Sequence, residues 1–383
     1  MLRELAISIY LIIFKCIFAL CKRAKMQYKT TFVASFGGNI QDIMQALRKE
    51  HPEHPFVVLK TNNCMVNFEL PQKNILYFES KNIIHFVRSI YHLATSSHII
   101  VDNYYGFLAV TDFKDDATCV QVWHAAGAIK QFGLEDLSNV NRTSKAMDRF
   151  KAVYHRFDQV IVGSDEMIDI YKRSFELPQE RYVKTGIPRT DFFYNVTEKQ
   201  NAISTLKKEF PIINDKKVIL YAPTYRDNEL SKAHIQLDIK KLYDAFKYEY
   251  VILLRLHPAV SGNFENKYHG FIYNVSGYHS INELLTITDI LITDYSSIPF
   301  EYSILNRPMI FYAYDLEEYA KERGLWKDYI DRVPGPVVQT MDELVRVLKN
   351  KDFQLEKVQP FAMSWNQYSN GNSAKNFVEY FYK

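Results

Sequence analysis

At 383 residues, the chain is long enough to form two domains of ordinary size. Hydrophobic residues make up 47% of it and charged residues 24%, which indicates a globular protein and excludes a disordered one. The formal net charge of only +3 argues against a general nucleic-acid-binding protein. Because the four cysteines have no metal-ligand spacing, we expect a reduced, intracellular compartment.

The N-terminal segment 5–21 is apolar except for Ser8 and Lys15, and a basic cluster follows it. A signal peptide would have a basic n-region and a small-residue cleavage site, and neither is convincing here. A membrane-spanning helix would carry Lys15 near its middle, and inserting this charge would cost roughly 2.5–3.5 kcal/mol on insertion scales. Two alternatives remain: a helix packed on the protein's own core, or an amphipathic helix in the membrane interface with its basic cluster against anionic lipid. We favour the interfacial helix and assign 1–27 to a membrane-associating segment.

Strands and helices alternate after this segment, a pattern typical of a mostly parallel sheet in a Rossmann-like domain, which we assign to 28–197. In this domain Gly37-Gly38 allows the backbone to approach either a ligand or a neighbouring loop. The predicted strands are 31–34, 56–59, 74–78, 98–101, one ending at Trp123, and 159–162; the predicted helices are 41–49, 83–94, 144–154 and 165–175, the last capped by Ser164 or Asp165.

His124 lies at the end of a predicted strand, beside Trp123 and ahead of the small residues Ala125 to Ala128. These small residues are expected to leave room for a substrate. A histidine in such a position is a candidate general base. The alternative is a structural or merely exposed histidine.

The pattern loosens across 195–215, and we assign 198–361 to a second Rossmann-like domain and 362–383 to a C-terminal helix that packs back on the first. Because side chains alternate along a strand, Arg255 and His257 are expected to lie on the same side of a predicted strand end. The predicted strands of this domain are 217–221, 250–256, 270–275, 290–293 and 309–312, and the predicted helices are 198–209, 238–246, 280–286, 298–305 and 341–349.

A hydroxyl-rich turn, Asp294-Tyr295-Ser296-Ser297, connects a strand to a helical pattern. Ser296 or Ser297 is the expected N-cap, with Pro299 in the first turn. Such a helix N-terminus directs N–H groups at the carboxyl edge of the sheet, where phosphates bind in open α/β folds. An ordinary capped helix remains the alternative.

Three polar groups would meet if the two domains face a central cleft: His124, the Arg255/His257 pair and the Ser296/Ser297 turn. This set suits a diphosphate and a phosphoryl transfer. The sequence has no Walker motif, no complete G-x-G-x-x-G after a strand and no Asp-x-Asp at a strand end. These absences argue against a kinase, a dehydrogenase and a familiar metal-dependent sugar transferase.

Four motifs in order resemble the CDP-glycerol glycerophosphotransferase family of teichoic acid synthesis: VWHAAGAIKQFG, YAPTYRD, RLHP, and TDYSSIPFEYSILNRPMIFYAYDLEEY with RG and PGP downstream. The resemblance covers roughly residues 95–340. It implies an α/β, GT-B-like fold of two Rossmann-like doubly wound domains facing a central cleft. It also implies transfer of glycerol phosphate from CDP-glycerol to a lipid-linked acceptor, with release of CMP.

The resemblance also assigns roles to individual residues. His124 matches the family's base, and His257 is the second catalytic candidate. No tightly bound cofactor and no protein metal site are implied, and a loosely held Mg²⁺ on the diphosphate stays open. The implied donor-binding residues are Arg255, Thr224, Arg226, Asp294, Ser296, Ser297 and, near the ribose, Glu301.

The segment 125–130, Ala-Ala-Gly-Ala-Ile-Lys, departs from the Gly-Thr-Pro-Leu-Lys-Lys typical of chain-extending members. With the stretch 102–105 and no added glycosyltransferase domain, it is similar to the primase branch. This implies the acceptor N-acetylmannosaminyl-N-acetylglucosaminyl-diphospho-undecaprenol and a peripheral protein on the cytoplasmic face of the membrane, with other teichoic acid enzymes as candidate partners and no nucleic acid. Two alternatives stay open: a second-step or polymerising glycerol- or ribitol-phosphate transferase acting on a primed lipid, and a non-catalytic, membrane-associated nucleotide-binding protein.

Overall fold

The computed structural model describes residues 2–78, 82–226, 235–256, 266–325 and 328–383. The chain forms two compact units, each with its own parallel sheet. The sequence-based boundaries at 197/198 and 361/362 differ from the bounds of these units by a few residues and stay predictions. The first unit comprises Met1–Ala125, Phe132–Asp191 and Gln367–Lys383, and the second comprises Ala126–Gln131 and Phe192–Asn366.

The sheet of the first unit has seven strands in the order β3-β2-β1-β4-β5-β6-β7, and all neighbours are parallel. Its first six strands follow the Rossmann order, in which the chain reverses direction of travel between β1 and β4. Ligands of such sheets bind at the carboxyl ends of the strands on either side of this switch point. The strands are β1 Gln27–Ala34, β2 Phe56–Lys60, β3 Ile75–Tyr77, β4 Ser96–Val101, β5 Thr118–Gln121, β6 Gln159–Ile161 and β7 Tyr182–Val183.

Helices cover this sheet, which explains why its central strands are continuous apolar runs. β4 is buried at every position. Ser164, one of the two expected caps, begins α5, because its hydroxyl accepts the Met167 N–H at 3.2 Å. The helices of the first unit are α1 Leu2–Cys21, α2 Gly38–Glu50, α3 Ile83–Thr95, α4 Ser144–Tyr154, α5 Asp165–Phe175 and α14 Ser373–Phe381.

The sheet of the second unit has six strands in the order β10-β9-β8-β11-β12-β13, again all parallel. This is the Rossmann order once more, with the switch point between β8 and β11. The prediction of an α/β chain with two Rossmann-like units is therefore confirmed. The strands are β8 Lys217–Tyr221, β9 Tyr250–Leu254, β10 Ile272–Asn274, β11 Ile290–Thr293, β12 Met309–Tyr312 and β13 Val337–Val338.

The helices of the second unit include α12, whose Thr340 and Glu343 form a reciprocal capping box. They are α6 Val196–Glu209, α7 Ile239–Phe246, α8 Ile281–Ile287, α9 Ile298–Tyr302, α10 Leu316–Arg323, α11 Tyr329–Arg332, α12 Met341–Asn350 and α13 Val358–Trp365.

Short 3-10 helices connect several of these elements. They span Gln72–Asn74, Gly106–Val110, Gly133–Glu135, Leu137–Asn141, Gln179–Arg181, Pro188–Phe193, Pro211–Asn214, Ser303–Leu305 and Leu355–Lys357.

Several elements are shorter than predicted, and two of them flank the candidate site of the second unit. The strand expected over 250–256 ends at Leu254, because the Leu256 N–H donates to the Ser276 hydroxyl and not to a neighbouring strand. The helix expected over 298–305 is only five residues long and continues as a 3-10 turn that ends at Asn306, which has a φ of 50°. A helix this short carries a weak dipole, so side chains must contribute more to any phosphate site at its start.

The N-terminal helix α1 packs on the first unit through one face. Phe14 and Phe18 are fully buried, with Phe14 stacked on Phe107 at 5.1 Å between ring centroids and Phe18 edge-on to Phe113 at 5.7 Å. Within the described part of the chain, this is the one helix long and apolar enough to cross a membrane, judged by length and composition. The opposite face exposes large apolar side chains, namely Leu5, Ile9, Ile12, Ile13 and Leu20.

Candidate functional site

His124 follows β5 and is positioned by an unusual backbone turn. The strand ends at Gln121, and the next-but-one residue, Trp123, adopts a left-handed conformation with a φ of 50°, at a cost of roughly 1–2 kcal/mol for a non-glycine residue. The Gln121 side chain accepts the Trp123 N–H at 2.9 Å, and the Asn39 amide donates to the Trp123 carbonyl at 3.0 Å. The predicted strand end at Trp123 is therefore wrong by two residues, because the side chain of Gln121 turns the backbone first.

The protonation state of the His124 ring follows from its contact with Asp102. Nδ1 lies 3.2 Å from the Asp102 carbonyl oxygen, which can only accept, so Nδ1 carries the proton and Nε2 keeps a free lone pair. Burial lowers the pKa of His124 to about 4; the charge of Arg189 acts in the same direction and the Asp102 carbonyl in the opposite one. The ring of Phe36 stacks on the imidazole with centroids 3.8 Å apart. A neutral, oriented imidazole is thus available at neutral pH.

The carboxylate of Asp102, at the end of β4, organises the switch point of the first unit. It accepts the N–H groups of Ser35 and Phe36 at 2.9 Å and of Gly37 at 2.7 Å, together with the Tyr105 hydroxyl at 2.8 Å. These N–H groups are therefore engaged by the protein itself. The glycine pair was expected to let the backbone approach either a ligand or a neighbouring loop. At Gly37 the backbone approaches the loop that carries Asp102.

Two residues that the sequence did not single out support His124. Arg189 donates from its guanidinium to the His124 carbonyl at 2.8 Å, and its own N–H donates to the Asn39 side chain at 3.0 Å. Asn39 also donates to the Val122 carbonyl at 2.9 Å. In the sequence, Arg189 follows a Gly-Ile-Pro turn and Asn39 follows the glycine pair, and neither position by itself indicates a contact with His124.

Arg226 is the centre of the candidate site in the second unit. It is 9% exposed, and it forms a bidentate pair with Asp315 at 2.7 and 2.9 Å and a further bond to Asp294 at 3.2 Å. It also donates to the Thr224 carbonyl at 2.6 Å. Four of its five N–H donors are thus used within the protein, which favours a positioning role over direct phosphate contact.

Three tyrosine rings enclose the same guanidinium. Its central carbon lies 5.2 Å from the ring centroids of Tyr295 and Tyr314 and 4.6 Å from that of Tyr319. Burial alone would lower the pKa of Arg226, but the bond to Asp315 and the charge of Asp294 raise it above its ordinary value. Arg226 is therefore a permanently charged clamp between the segments that follow β8, β11 and β12.

The expected phosphate turn follows β11, at the switch point of the second sheet. Asp294 is buried and accepts the N–H groups of Thr224 at 2.8 Å and of Tyr295 at 2.6 Å. Ser297 is the N-cap residue but makes no side-chain capping bond; the hydroxyl of Ser296 instead accepts the Ile298 N–H at 3.0 Å. The Ser297 hydroxyl is thus not committed to the helix start.

The other expected donor-binding residues have different surroundings. Glu301 is 2% exposed, which does not match a carboxylate presented to a ribose unless neighbouring groups move. Arg255 donates to the carbonyls of Val275, at 2.9 Å, and of Tyr278, so it tethers its neighbouring loop. His257 lies outside the described residues.

The small residues after His124 have a packing role that the sequence did not suggest. A Cβ atom on Gly127 would lie 2.4 to 2.6 Å from three atoms of the Phe300 ring, so no larger residue fits without displacing it. Ala125 and Ala126 are buried as well. The expectation that these residues leave room for a substrate is therefore wrong at Gly127, where Phe300 fills the space.

A metal site was not expected, and within the described ranges no group of three or more His, Cys, Asp or Glu residues is arranged to hold an ion. The carboxylates of Asp294, which is buried, and of Asp315, which is partly buried, both contact Arg226. Whether Mg²⁺ accompanies a substrate remains a prediction.

Comparison with known proteins agrees with the motifs. The family CDP-Glycerol:Poly(glycerophosphate) glycerophosphotransferase matches residues 14–383. The chain is 36% identical over 381 residues to the teichoic acid glycerol-phosphate primase of Bacillus subtilis (strain 168), which covers 99% of this chain and 98% of that protein. It is 30% identical over 383 residues to the teichoic acid poly(glycerol phosphate) polymerase of Staphylococcus epidermidis (strain ATCC 35984 / DSM 28319 / BCRC 17069 / CCUG 31568 / BM 3577 / RP62A), covering 94% of this chain and 52% of that one.

A solved structure of the wall teichoic acid polymerase TagF is similar throughout. It has a TM-score of 0.80 and 25% identity, and the match covers 100% of this chain and 97% of that chain. A variant of the same polymerase has also been solved after a soak with CDPG. The similarity confirms the predicted GT-B-like fold class. The chain therefore belongs to the CDP-glycerol:poly(glycerophosphate) glycerophosphotransferase family of teichoic acid synthesis and is a glycerophosphotransferase.

Proposed function

We propose that this enzyme transfers glycerol phosphate from CDP-glycerol to N-acetylmannosaminyl-N-acetylglucosaminyl-diphospho-undecaprenol and releases CMP, the priming step of wall teichoic acid synthesis. The observation that carries the chemistry is the neutral His124 ring, anchored through Nδ1 with Nε2 free. The primase assignment is supported by the extent of the match, which covers 98% of the glycerol-phosphate primase but 52% of the poly(glycerol phosphate) polymerase. The CDPG soak of the similar polymerase supports the choice of donor.

The proposed reaction is a single in-line displacement. Nε2 of His124 takes the proton from the acceptor hydroxyl as its oxygen forms a bond to the phosphorus that carries glycerol. The bond from that phosphorus to the oxygen of CMP breaks, and CMP leaves with the electron pair. The stacked Phe36 ring and the Asp102 carbonyl keep the imidazole oriented throughout, so little reorganisation is needed during the transfer.

In this proposal, the second unit binds the donor. Ser297 supplies a hydroxyl that the helix does not use, and Thr224 and Ser296 lie on the segments that Arg226 and Asp294 hold together. Arg255 and His257 keep their proposed roles near the diphosphate, and any Mg²⁺ would arrive with the donor. Glu301 is buried, so a role near the ribose requires that the donor displace the groups that cover its carboxylate. We further propose that the enzyme lies on the cytoplasmic face of the membrane.

We expect Ser297→Ala to weaken CDP-glycerol binding and to leave the free energy of unfolding almost unchanged, because this hydroxyl makes no capping bond. The matched control is Ser296→Ala, which removes the bond to the Ile298 N–H and is expected to cost about 1 kcal/mol of stability. Calorimetry with CDP-glycerol and denaturant unfolding separate the two effects. Unchanged donor affinity in Ser297→Ala would restrict that serine to a structural role.

We expect the triple change Ile9→Ser, Ile12→Ser and Ile13→Ser to abolish co-sedimentation with anionic liposomes, because it removes exposed apolar surface from α1. The protein should stay folded, since none of the three side chains is buried. A deletion of the helix would be less informative, because Phe14 and Phe18 belong to the core. Phe14→Ala is the matched control: it should cost about 3–5 kcal/mol of stability yet keep liposome binding. Undiminished sedimentation of the triple variant would contradict the interfacial helix.

We expect one glycerol phosphate to be added to each synthetic disaccharide diphospholipid, even with excess CDP-glycerol. The added glycerol phosphate is flexible, and displacement of its hydroxyl by about 1 Å can reduce the rate 10²-fold. Mass spectrometry of the products, with CMP release measured in parallel, is the test. A ladder of products, or turnover only on an already primed lipid, would assign the enzyme to an extending branch, and donor binding without CMP release would indicate a non-catalytic protein.

A further inference from the structure

An aromatic pocket of about 460 Å³ lies in the first unit, a volume typical of small-molecule sites. It is formed by α1, α3, the end of β3 and the segment after β4. The rings that line it belong to Tyr10, Phe78, Phe86, Tyr104, Tyr105 and Phe107.

One side of this aromatic pocket belongs to the helices with exposed apolar faces. Tyr10 of α1 and Phe86 of α3 line it, and their ring centroids are 6.0 Å apart. The neighbouring side chains on both helices are exposed and aliphatic: Ile9 and Ile13 on α1, and Ile83, Ile84 and Val87 on α3. The pocket is therefore continuous with the surface that we propose to contact the membrane.

Hydrogen bonds connect the other side of the pocket to the candidate base. Tyr105 donates its hydroxyl to the Asp102 carboxylate at 2.8 Å, and the carbonyl of the same Asp102 accepts from Nδ1 of His124. A cation lies near this side as well. The Arg142 guanidinium sits over the Phe150 ring at 4.9 Å, and Phe150 is edge-on to Tyr104 at 5.1 Å.

The chemistry of the lining selects among the parts of a lipid-linked sugar. The lining side chains are six aromatic rings, and the polar groups that these side chains carry are the hydroxyls of Tyr10, Tyr104 and Tyr105. The Tyr105 hydroxyl is already engaged by Asp102 and by the Ser35 hydroxyl at 2.9 Å. A branched, unsaturated hydrocarbon packs well on such rings, and the nearby Arg142 complements an anionic diphosphate at its end.

We propose that this pocket binds the isoprenoid units of the acceptor next to its diphosphate. The inference rests on the proposed function, since it names the subsite for the lipid part of that acceptor. The disaccharide would then extend from the pocket towards His124. The pocket thereby selects for a polyprenyl diphosphate and fixes the distance between the membrane surface and the reacting hydroxyl.

Gly106 offers a way to fill the pocket without a clash. It lines the cavity, and a Cβ atom built on it meets no atom within 4 Å. Gly106→Leu should therefore occupy hydrocarbon space, and Gly106→Ala, which adds a single methyl group, is the matched control.

The first measurement is the KM for disaccharide diphosphates that carry chains of one to four isoprene units, short enough to stay monomeric without a membrane. In the unaltered enzyme, KM should fall by on the order of tenfold or more from the shortest to the longest chain, as hydrocarbon is buried. Gly106→Leu should reduce this ratio towards one, and Gly106→Ala should reduce it less. A ratio near one in the unaltered enzyme, or an equal ratio in Gly106→Leu, would overturn the pocket assignment while turnover itself upholds the proposed function.

The second measurement needs no turnover. Calorimetric binding of a four-isoprene diphosphate without sugar should be weakened on the order of tenfold in Gly106→Leu. If binding is weakened in this way but no acceptor supports CMP release from CDP-glycerol, the proposed function fails and the pocket assignment stands. If Gly106→Leu lowers binding to phospholipid vesicles but leaves diphosphate binding unchanged, the pocket holds a membrane acyl chain and the proposal is wrong.

Discussion

Replacement of His124 by alanine is expected to lower the turnover number for CMP release by about 10²–10⁴-fold, the usual contribution of a general base. The Nε2 lone pair is the group that is lost, because Nδ1 is bonded to the Asp102 carbonyl. The fold should persist, since Phe36 and Trp123, whose rings stack on the imidazole, both lie outside the strands of the sheet. Single-turnover CMP release measures the loss of rate, and circular dichroism measures whether the fold persists.

The matched control is His155→Ala, which removes an exposed histidine from the same unit and should leave CMP release unchanged. Near-normal CMP release by the His124 variant would remove this residue from the mechanism. A loss of activity together with a loss of fold would leave the base unidentified, and His124→Gln, which keeps the side chain's volume and polarity, would then separate structure from chemistry.

The pH dependence of the reaction distinguishes this buried base from an exposed one. Because burial lowers the pKa of His124 to about 4, the ring is neutral and able to accept a proton at every pH well above that value. The rate should therefore hold as the pH falls through 6.5 and should decline only as it approaches 4. An acid limb of kcat/KM centred near 6.5 would show that the ring is solvated in the working enzyme.

The sequence predicted those parts of the fold that depend on local pattern. Apolar runs such as 98–101 and 290–293 identified buried parallel strands, and Ser164 identified a helix start. Alternation of strands and helices was sufficient for two Rossmann-like units. The polar strand ends at Asp102 and Asp294 were also visible, because a parallel sheet brings its carboxyl ends to one edge.

The parts that were missed depend on contacts between distant residues. Nothing near Arg226 in the sequence indicates that Asp315 occupies its guanidinium. Likewise, Gly127 was expected to leave room for a substrate, but the ring of Phe300 occupies that space. The length of α9 was overestimated because a helical pattern does not reveal where the chain tightens into a 3-10 turn.

Arg226→Met is expected to lower the free energy of unfolding by about 3–5 kcal/mol, the usual cost of breaking a buried ion pair by removing one partner. The methionine would fill much of the volume, but Asp294 and Asp315 would keep charges without their cation. Arg226→Lys should cost less, since it retains the charge and loses the bidentate geometry. Lys240→Met, which breaks an exposed pair with Asp244, is the matched control and should leave the denaturation midpoint unchanged.

A rescue experiment decides whether Arg226 acts on the protein or on the donor. If uncompensated carboxylates cause the loss, adding Asp294→Asn and Asp315→Asn to the methionine variant should restore part of the stability, because no buried charge is then left alone. CDP-glycerol binding should remain weak, since the Thr224 carbonyl and the turn at Asp294 would still lack their clamp. A methionine variant with an unchanged denaturation midpoint and no donor binding would instead mean that the guanidinium contacts the diphosphate directly.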